Sequence, residues 1–299
     1  MRLACIGIGS NAIRLLEAQW EQEGLCAIRR ERRGTRLFAG LVDGVLTKES
    51  IQASVEAVGQ LAMLARADGA GEVFVFATSA VRDAKNAQEF TQLAEQAAGT
   101  CIEIVSGEEE AVLSFLGASE GGSSGVIDIG GGSTEFTLGE GSEILGAMSL
   151  QMGAVRMHAQ QPVLSVAAYE ETVLRCRRII QRDARSLLAI ARRDAWAGVG
   201  GTMTTLGAME RGVPLFDPAV CEGMKMRLDQ VMAWGRRLAG MSMDARRRVE
   251  GLMPQRADII PSGLAILEAA MLSFSIQELV LSAHGNMDGY LKKKFSEKC

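Results

Sequence analysis

The chain has 299 residues, 47% of them hydrophobic and 23% charged, with a formal net charge of −4. That length suits about two domains of ~100–200 residues each, and the composition is that of a soluble globular protein. The negative balance argues against general nucleic-acid binding, and a 5% aromatic share is too low for base-stacking platforms.

Six cysteines, at 5, 26, 101, 176, 221 and 299, form no CxxC pair, and only two histidines accompany them. This argues against zinc and reads as free thiols in a reducing cytoplasm. The start of the chain lacks a signal-peptide pattern. The longest apolar stretch, 259–276, contains Pro261 and Glu268 and does not read as a membrane span.

In chain order, Arg2 to Ile6 reads as a strand ending at Gly7, and Leu25 to Arg29 as another. An arginine cluster follows at 29, 30, 32, 33 and 36; it reads as a solvated face, or as a guide for a polyanion if it lines a cleft. Thr47 caps a predicted helix with Ile51, Val55, Val58, Ala62 and Ala65 on one face. Val73 to Phe76 is a short buried strand, a helix follows Asn86, and Ile102 to Val105 is the next strand. Ser106 and Glu109 fit a capping box that opens a helix through Leu116. Ser119 to Gly125 is the linker candidate. A long arginine-rich helix is expected over 170–190, a strand over 195–199, a helix over 261–276 and a strand over 278–282. Strands alternating with helices imply an α/β fold.

Two glycine turns carry the chemistry. Asp128 through Glu135 places an acid at a strand end, then Gly130, Gly131 and Gly132, then the hydroxyls of Ser133 and Thr134. Glycines let several N–H groups face one anion, and a carboxylate beside such a cradle suits Mg²⁺-assisted phosphate chemistry. The competing reading is a hairpin turn with a surface aspartate. Gly7-Ile8-Gly9-Ser10-Asn11 resembles this turn, which suggests two related halves facing across a cleft. The same segment, with Ala12, also matches a dinucleotide fingerprint, with Glu31 at the ribose-binding distance and Ile13, Leu16 and Trp20 suited to a following helix. Further along, Ser79 and Arg82 follow a buried strand as phosphate contacts or as an ordinary cap. Of Glu108, Glu109 and Glu110, the helix dipole explains the enrichment but does not select one for chemistry.

Together these motifs resemble the exopolyphosphatase/guanosine pentaphosphate phosphohydrolase family, within the superfamily of actin, sugar kinases and heat-shock chaperone ATPases. The resemblance runs in order through Gly9-Ser10-Asn11 with Ile13-Arg14-Leu15-Leu16, Arg36-Leu37, 77–84 with Asn86, Ser106 through Ala111, and Asp128 through Glu135. It continues through Gly153-Ala154-Val155-Arg156, Gly198-Val199-Gly200-Gly201-Thr202 and Arg256 through Ile260.

The resemblance implies two actin-like, ribonuclease-H-like α/β domains, 1–118 and 119–299, with an interdomain cleft and a C-terminal segment that returns to the first domain. It implies a cytoplasmic Mg²⁺-dependent (or other divalent-cation) hydrolase that releases terminal phosphate from polyphosphate or pppGpp. Glu110 would be the base and Arg82 a second catalytic residue. Asp128 and Glu135 would hold the metal. Gly9, Ser10, Asn11, Ser79, Gly130 to Thr134, and Gly200, Gly201 and Thr202 would bind phosphate. No nucleic acid or membrane partner is implied, and a homodimer is. The alternative is a sensor that binds polyphosphate or guanosine tetra- or pentaphosphate without turnover. Two departures motivate it. Gly7 stands where the pattern has aspartate. The C-terminal signature, serine, two residues, glycine, leucine, arginine, glutamate, glycine, here carries Met287 and Asp288 at its arginine and glutamate.

Overall fold

The computed structural model describes residues 1–22, 24–119, 121–213 and 218–298. Cys299 lies outside them, as does Glu120 of the predicted linker. The chain divides into two compact units, one of Met1–Gly117 with the segment from Asn286 onward, the other of Ala118–Gly285.

The first unit begins with β1 (Arg2–Ile8), β2 (Ile13–Glu21) and β3 (Gly24–Arg33). β1 is apolar and buried along nearly its whole length, as a strand covered on both faces should be. β2 corrects the dinucleotide reading. That fingerprint needs strand, turn and helix, and here the turn after β1 leads into an antiparallel strand. A two-residue ladder of β4 (Leu41–Val42) and β5 (Val45–Leu46) precedes α1 (Lys48–Ala67). Thr47 caps α1, its hydroxyl accepting from Ser50 N at 3.3 Å. The buried face keeps Ile51, Val58, Ala62 and Ala65, and uses Ser54, Ala57 and Leu61 where Val55 was expected. β6 (Glu72–Ala77), α2 (Ser79–Arg82), α3 (Ala87–Ala98), β7 (Ile102–Ile104) and α4 (Gly107–Ala118) follow. The sheet order is β3-β2-β1-β6-β7, with β1, β6 and β7 parallel.

The second unit repeats this plan with β8 (Ser123–Ile129), β9 (Thr134–Glu140), β10 (Glu143–Leu150), α5 (Ala154–Gln160), α6 (Val166–Asp183), α7 (Arg185–Ala189), β11 (Ala195–Val199) and α8 (Gly201–Arg211). It continues through β12 (Lys225–Arg227), α9 (Leu228–Ala239), α10 (Met243–Arg246), α11 (Ile260–Ser273) and β13 (Glu278–Leu281). β8 already begins inside the expected linker. The helix expected over 170–190 starts earlier, capped by Ser165, and breaks at Ala184. The sheet order is β10-β9-β8-β11-β13-β12. Its core is α11, buried from Ile260 through Met271 because nearly every side chain is apolar. The one acid there, Glu268, accepts from Tyr169 OH at 2.7 Å and from Arg236 at 3.4 Å.

Both sheets share the strand order of the ribonuclease-H-like fold, two antiparallel strands beside parallel ones, so the protein consists of two actin-like α/β units. The last helix, α12 (Asn286–Ser296), belongs to the first unit. Tyr290 stacks on Phe76 at 4.6 Å, and Met287, Leu291 and Phe295 complete a core with Leu3, Cys5 and Leu16. No helix among the described residues is long and apolar enough to cross a membrane.

Candidate active-site residues of the two units

In the first unit, the turn at Gly9 lies at the carboxyl end of β1. Gly9 N donates to Ala12 O, Ser10 O accepts from Phe38 N, and Asn11 O accepts from Arg36 N. β6 ends beside it, since Ile8 pairs with Ala77, so Ser79 and Arg82 on α2 open from the same sheet edge. Ser79 Oγ donates to Asp83 at 3.3 Å.

The three consecutive acids separate by packing. Glu109 closes the capping box, accepting from Ser106 N at 2.8 Å while its own N–H donates to Ser106 Oγ at 3.1 Å. The bonds from Ser106 hold its carboxyl below the usual value. Glu108 is exposed, and Glu110 is buried, with 6% of its surface accessible. Arg82 Nη1 lies 3.3 Å from Glu110 Oε2 and also donates to Val105 O at 3.0 Å. Asn286 Nδ2 donates to Glu110 Oε1 at 3.4 Å, and Asn286 Oδ1 accepts from Arg14 Nη2 at 3.1 Å. Among the described residues, Arg82 Nη2 is buried without a hydrogen-bond partner, a donor suited to an anion.

The arginine cluster is engaged mostly with acids. Arg30 grips Asp288 with both terminal nitrogens, at 2.5 and 3.2 Å, Arg29 pairs with Asp68 at 3.0 Å, and Arg33 pairs with Glu31 at 3.0 Å. Arg32 faces Arg14 across the β2/β3 ladder; burial first, and Arg14 second, push its guanidinium below the usual value. The two departures in the sequence meet in space. A Cβ on Gly7 would lie 3.4 Å from Met287 Cγ and Sδ and 3.3 Å from Phe76. An apolar contact fills the place where the sequence pattern has an acid and a cation.

In the second unit, β8 and β9 do form the hairpin of the competing reading, but Asp128 is buried at 6% exposure rather than lying on the surface. Asp128 pairs directly with Glu135, so both side chains leave the same face. Glu135 Oε1 accepts from Ser149 Oγ at 2.6 Å. The carbonyls of the glycine turn are clamped by the first turn of α5: Ala154 N donates to Gly130 O, and Val155 and Arg156 N to Gly131 O. Arg156 Nε adds a bond to Gly132 O at 2.6 Å. These bonds use the turn's carbonyls, and Gly130 N–H is itself spent on Ser133 O. Val199 is the parallel neighbour of Asp128, which sets Gly200 against its carboxylate. A Cβ on Gly200 would lie 2.6 Å from Asp128 Oδ1, and its φ of +92° also calls for glycine. Arg256 packs its guanidinium over Gly201.

Thus one sheet edge in the first unit gathers Gly9, Ser10, Asn11, Ser79, Arg82 and Glu110. One edge in the second gathers Asp128, Gly130, Gly131, Gly132, Ser133, Glu135, Gly200 and Gly201. Two hydroxyls point inward instead. Thr134 donates to Met152 O, and Thr202 packs against Gly263 on α11. Arg14 and Asn286 were not singled out from the sequence. The usable signal was a polar residue at 286 where the signature has leucine. A surface cavity of about 1370 Å³ lined by Trp196, Phe274 and Ile276 opens near Asp194 and Glu278, at the opposite ends of these strands. It holds none of these groups.

Paired phosphate-type turns on duplicated actin-like units, with a buried acid beside one and two acids beside the other, define the class as a phosphate-handling α/β protein. The pattern of the Ppx/GppA phosphatase family matches residues 18–297, and the chain belongs to that family. It is 33% identical to exopolyphosphatase 2 of Mycobacterium tuberculosis, covering 96% of this chain and 97% of that one. It is 29% identical to the guanosine-5'-triphosphate,3'-diphosphate pyrophosphatase of Aeromonas salmonicida, spanning 96% of this chain but 58% of that protein. Among solved structures, an exopolyphosphatase-like protein superposes with a TM-score of 0.92 at 27% identity over 100% of both chains. The Aquifex aeolicus PPX-GPPA enzyme superposes with a TM-score of 0.82 at 27% identity, covering 98% of this chain and 99% of that one.

Proposed function

We propose that this protein is a hydrolase of phosphoanhydride bonds that releases terminal phosphate from inorganic polyphosphate or from pppGpp. Glu110 carries the reading. It alone of three adjacent acids is buried, and each of its oxygens has a fixed partner. In the proposed reaction Glu110 takes a proton from water, and the water oxygen attacks the terminal phosphorus. The bond from that phosphorus to the bridging oxygen breaks, leaving a chain one phosphate shorter. Arg82, with a buried unpartnered nitrogen, supplies positive charge to the phosphoryl oxygens. The turn after Gly9 in the same unit would supply further N–H donors.

The acids of the second unit fit a hard divalent cation. Mg²⁺ takes one or two carboxylates and completes its shell with phosphate oxygens and water. Asp128 and Glu135, directly opposite on one face, offer that pair. When bound, the cation would neutralise charge on the phosphate oxygens.

The test is phosphate release from long-chain polyphosphate and from pppGpp with Mg²⁺, comparing wild type with Glu110→Ala. Equal rates for the two proteins would defeat the proposal. Gly7 is the observation that favours the second reading, a sensor without turnover. Tight binding of either compound with no release under any divalent cation would establish that reading instead.

A further inference from the structure

The signature's leucine position holds Asn286, and this residue joins the buried Glu110 to Arg14. A guanidinium can only donate, so Asn286 must turn Oδ1 toward Arg14. Its amide nitrogen is thereby directed at Glu110 Oε1. Glu110 is then held at one oxygen by Asn286 and at the other by Arg82. Asn286 itself is only 4% exposed and cannot swing away into solvent.

Its position is set by the helix it opens. Two residues on, Asp288 is gripped by Arg30 of β3. One turn from Asn286, Tyr290 stacks on Phe76 and donates to Glu103 at 2.8 Å. Lys292 Nζ donates to Leu116 O at 2.7 Å and Gly117 O at 3.2 Å, capping the carboxyl end of α4, the helix that carries Glu110. Between them Gly289 lies so close to α4 that a Cβ would collide with Leu113 O. α12 therefore fixes both the helix bearing Glu110 and the amide that orients its carboxylate.

We propose that Asn286 is a positioning residue, which aims the Glu110 carboxylate through an Arg14–Asn286–Glu110 relay that replaces the leucine of the signature. The inference rests on Glu110 being the base. Removing the Asn286 donor loosens the aim of the Glu110 carboxylate, and a misplacement of about 1 Å can cost on the order of 10²-fold in rate.

The test uses the full chain and phosphate release from long-chain polyphosphate. Asn286→Asp keeps the size and the acceptor for Arg14, but replaces the donated N–H with a carboxylate facing Glu110. The expected result is a kcat lowered on the order of 10²-fold with KM changed less than about twofold. The acid limb of the kcat/KM profile should move to higher pH, because a like charge disfavours the ionised base. In a Glu110→Gln background, Asn286→Asp should cause no further loss, since residues that act as a unit are not additive. Should Asn286→Asp fail to fold in a thermal melt, Asn286→Ser deletes the amide donor without adding charge and carries the same kcat and background comparisons. A folded variant with kcat within about twofold of wild type, or with an equal further loss in the Glu110→Gln background, overturns the relay alone. Wild-type rates from Glu110→Gln overturn the base assignment and the relay with it.

Discussion

The hairpins β1/β2 and β8/β9 have one backbone and two electrostatic characters. Each turn is closed by the same bond, Gly9 N to Ala12 O at 3.2 Å and Gly130 N to Ser133 O at 3.0 Å. A Cβ on either glycine would come 3.0 Å from that acceptor oxygen. The flanking registers coincide, Gly7 opposite Arg14 in one and Asp128 opposite Glu135 in the other. Where the second hairpin presents two acids, the first presents no side chain and a cation. The lesson is that a duplicated fold keeps its turn geometry through backbone bonds, while the pair just before the turn is free to specialise. Two carboxylates suit a divalent cation, and an arginine beside N–H groups suits an anion.

The harshest way to break the comparison is to give the second hairpin the first one's residue. Asp128→Gly should lower Mg²⁺-dependent phosphate release by at least about 10²–10³-fold, the scale of losing one main electrostatic contact. Steady-state assays against a Mg²⁺ series check it, and an unchanged rate would remove Asp128 from the chemistry. Next comes Gly200→Ala. It forces a Cβ against Asp128 at a φ of +92° and should cost about 1–3 kcal/mol of stability, with a lower kcat, read by urea unfolding and by assay. The reverse exchange, Gly7→Asp, should not raise turnover. Its side chain enters the apolar contact of Met287 and Phe76, and overpacking of that kind costs about 1–3 kcal/mol. A gain in rate would show that the first hairpin wants the acid after all.

The smallest effects lie at the helix that carries Glu110. Ser106→Ala removes one arm of the capping box and should cost about 1 kcal/mol in chemical unfolding. Glu109→Gln should cost less at neutral pH. Because the folded value of Glu109 is lowered, its contribution is present above the unfolded carboxyl value and is lost as pH falls through the folded one. Stability curves of wild type and Glu109→Gln should therefore converge in acid.

Much of the fold was legible because local signals agreed with one another. The capping box at Ser106, the cap at Thr47, the apolar run of β6 and the largely apolar α11 each have one physical reading, and each formed, α11 ending at Ser273 rather than 276. β2 misled because Ile13, Leu15, Leu16 and Ala18 are all buried, so neither the strand nor the helix period stands out. The long helix over 170–190 misled because nothing in its arginine-rich pattern marks the break at Ala184. At the site, the glycine turns announced themselves; composition and the helix dipole did not separate Glu108, Glu109 and Glu110, the resemblance pointed to Glu110, and packing buries that one alone. Asn286 showed only as a polar residue in the signature's leucine position; its role was not legible because its partners lie 176 and 272 residues away. The arginine cluster likewise depended on distant acids: Arg30 meets Asp288 across 258 positions.

α12 also gives the protein a timetable. It belongs to the first unit, yet the ribosome makes it only after the whole of the second, with Asn286 following Glu110 by 176 residues. At about 5–20 residues per second, the sheet face of Leu3, Cys5, Leu16 and Phe76 waits on the order of ten seconds or more for its cover. Through that interval the nascent chain exposes an apolar surface of the kind chaperones bind, and Glu110 on α4 is without its hydrogen bond from Asn286.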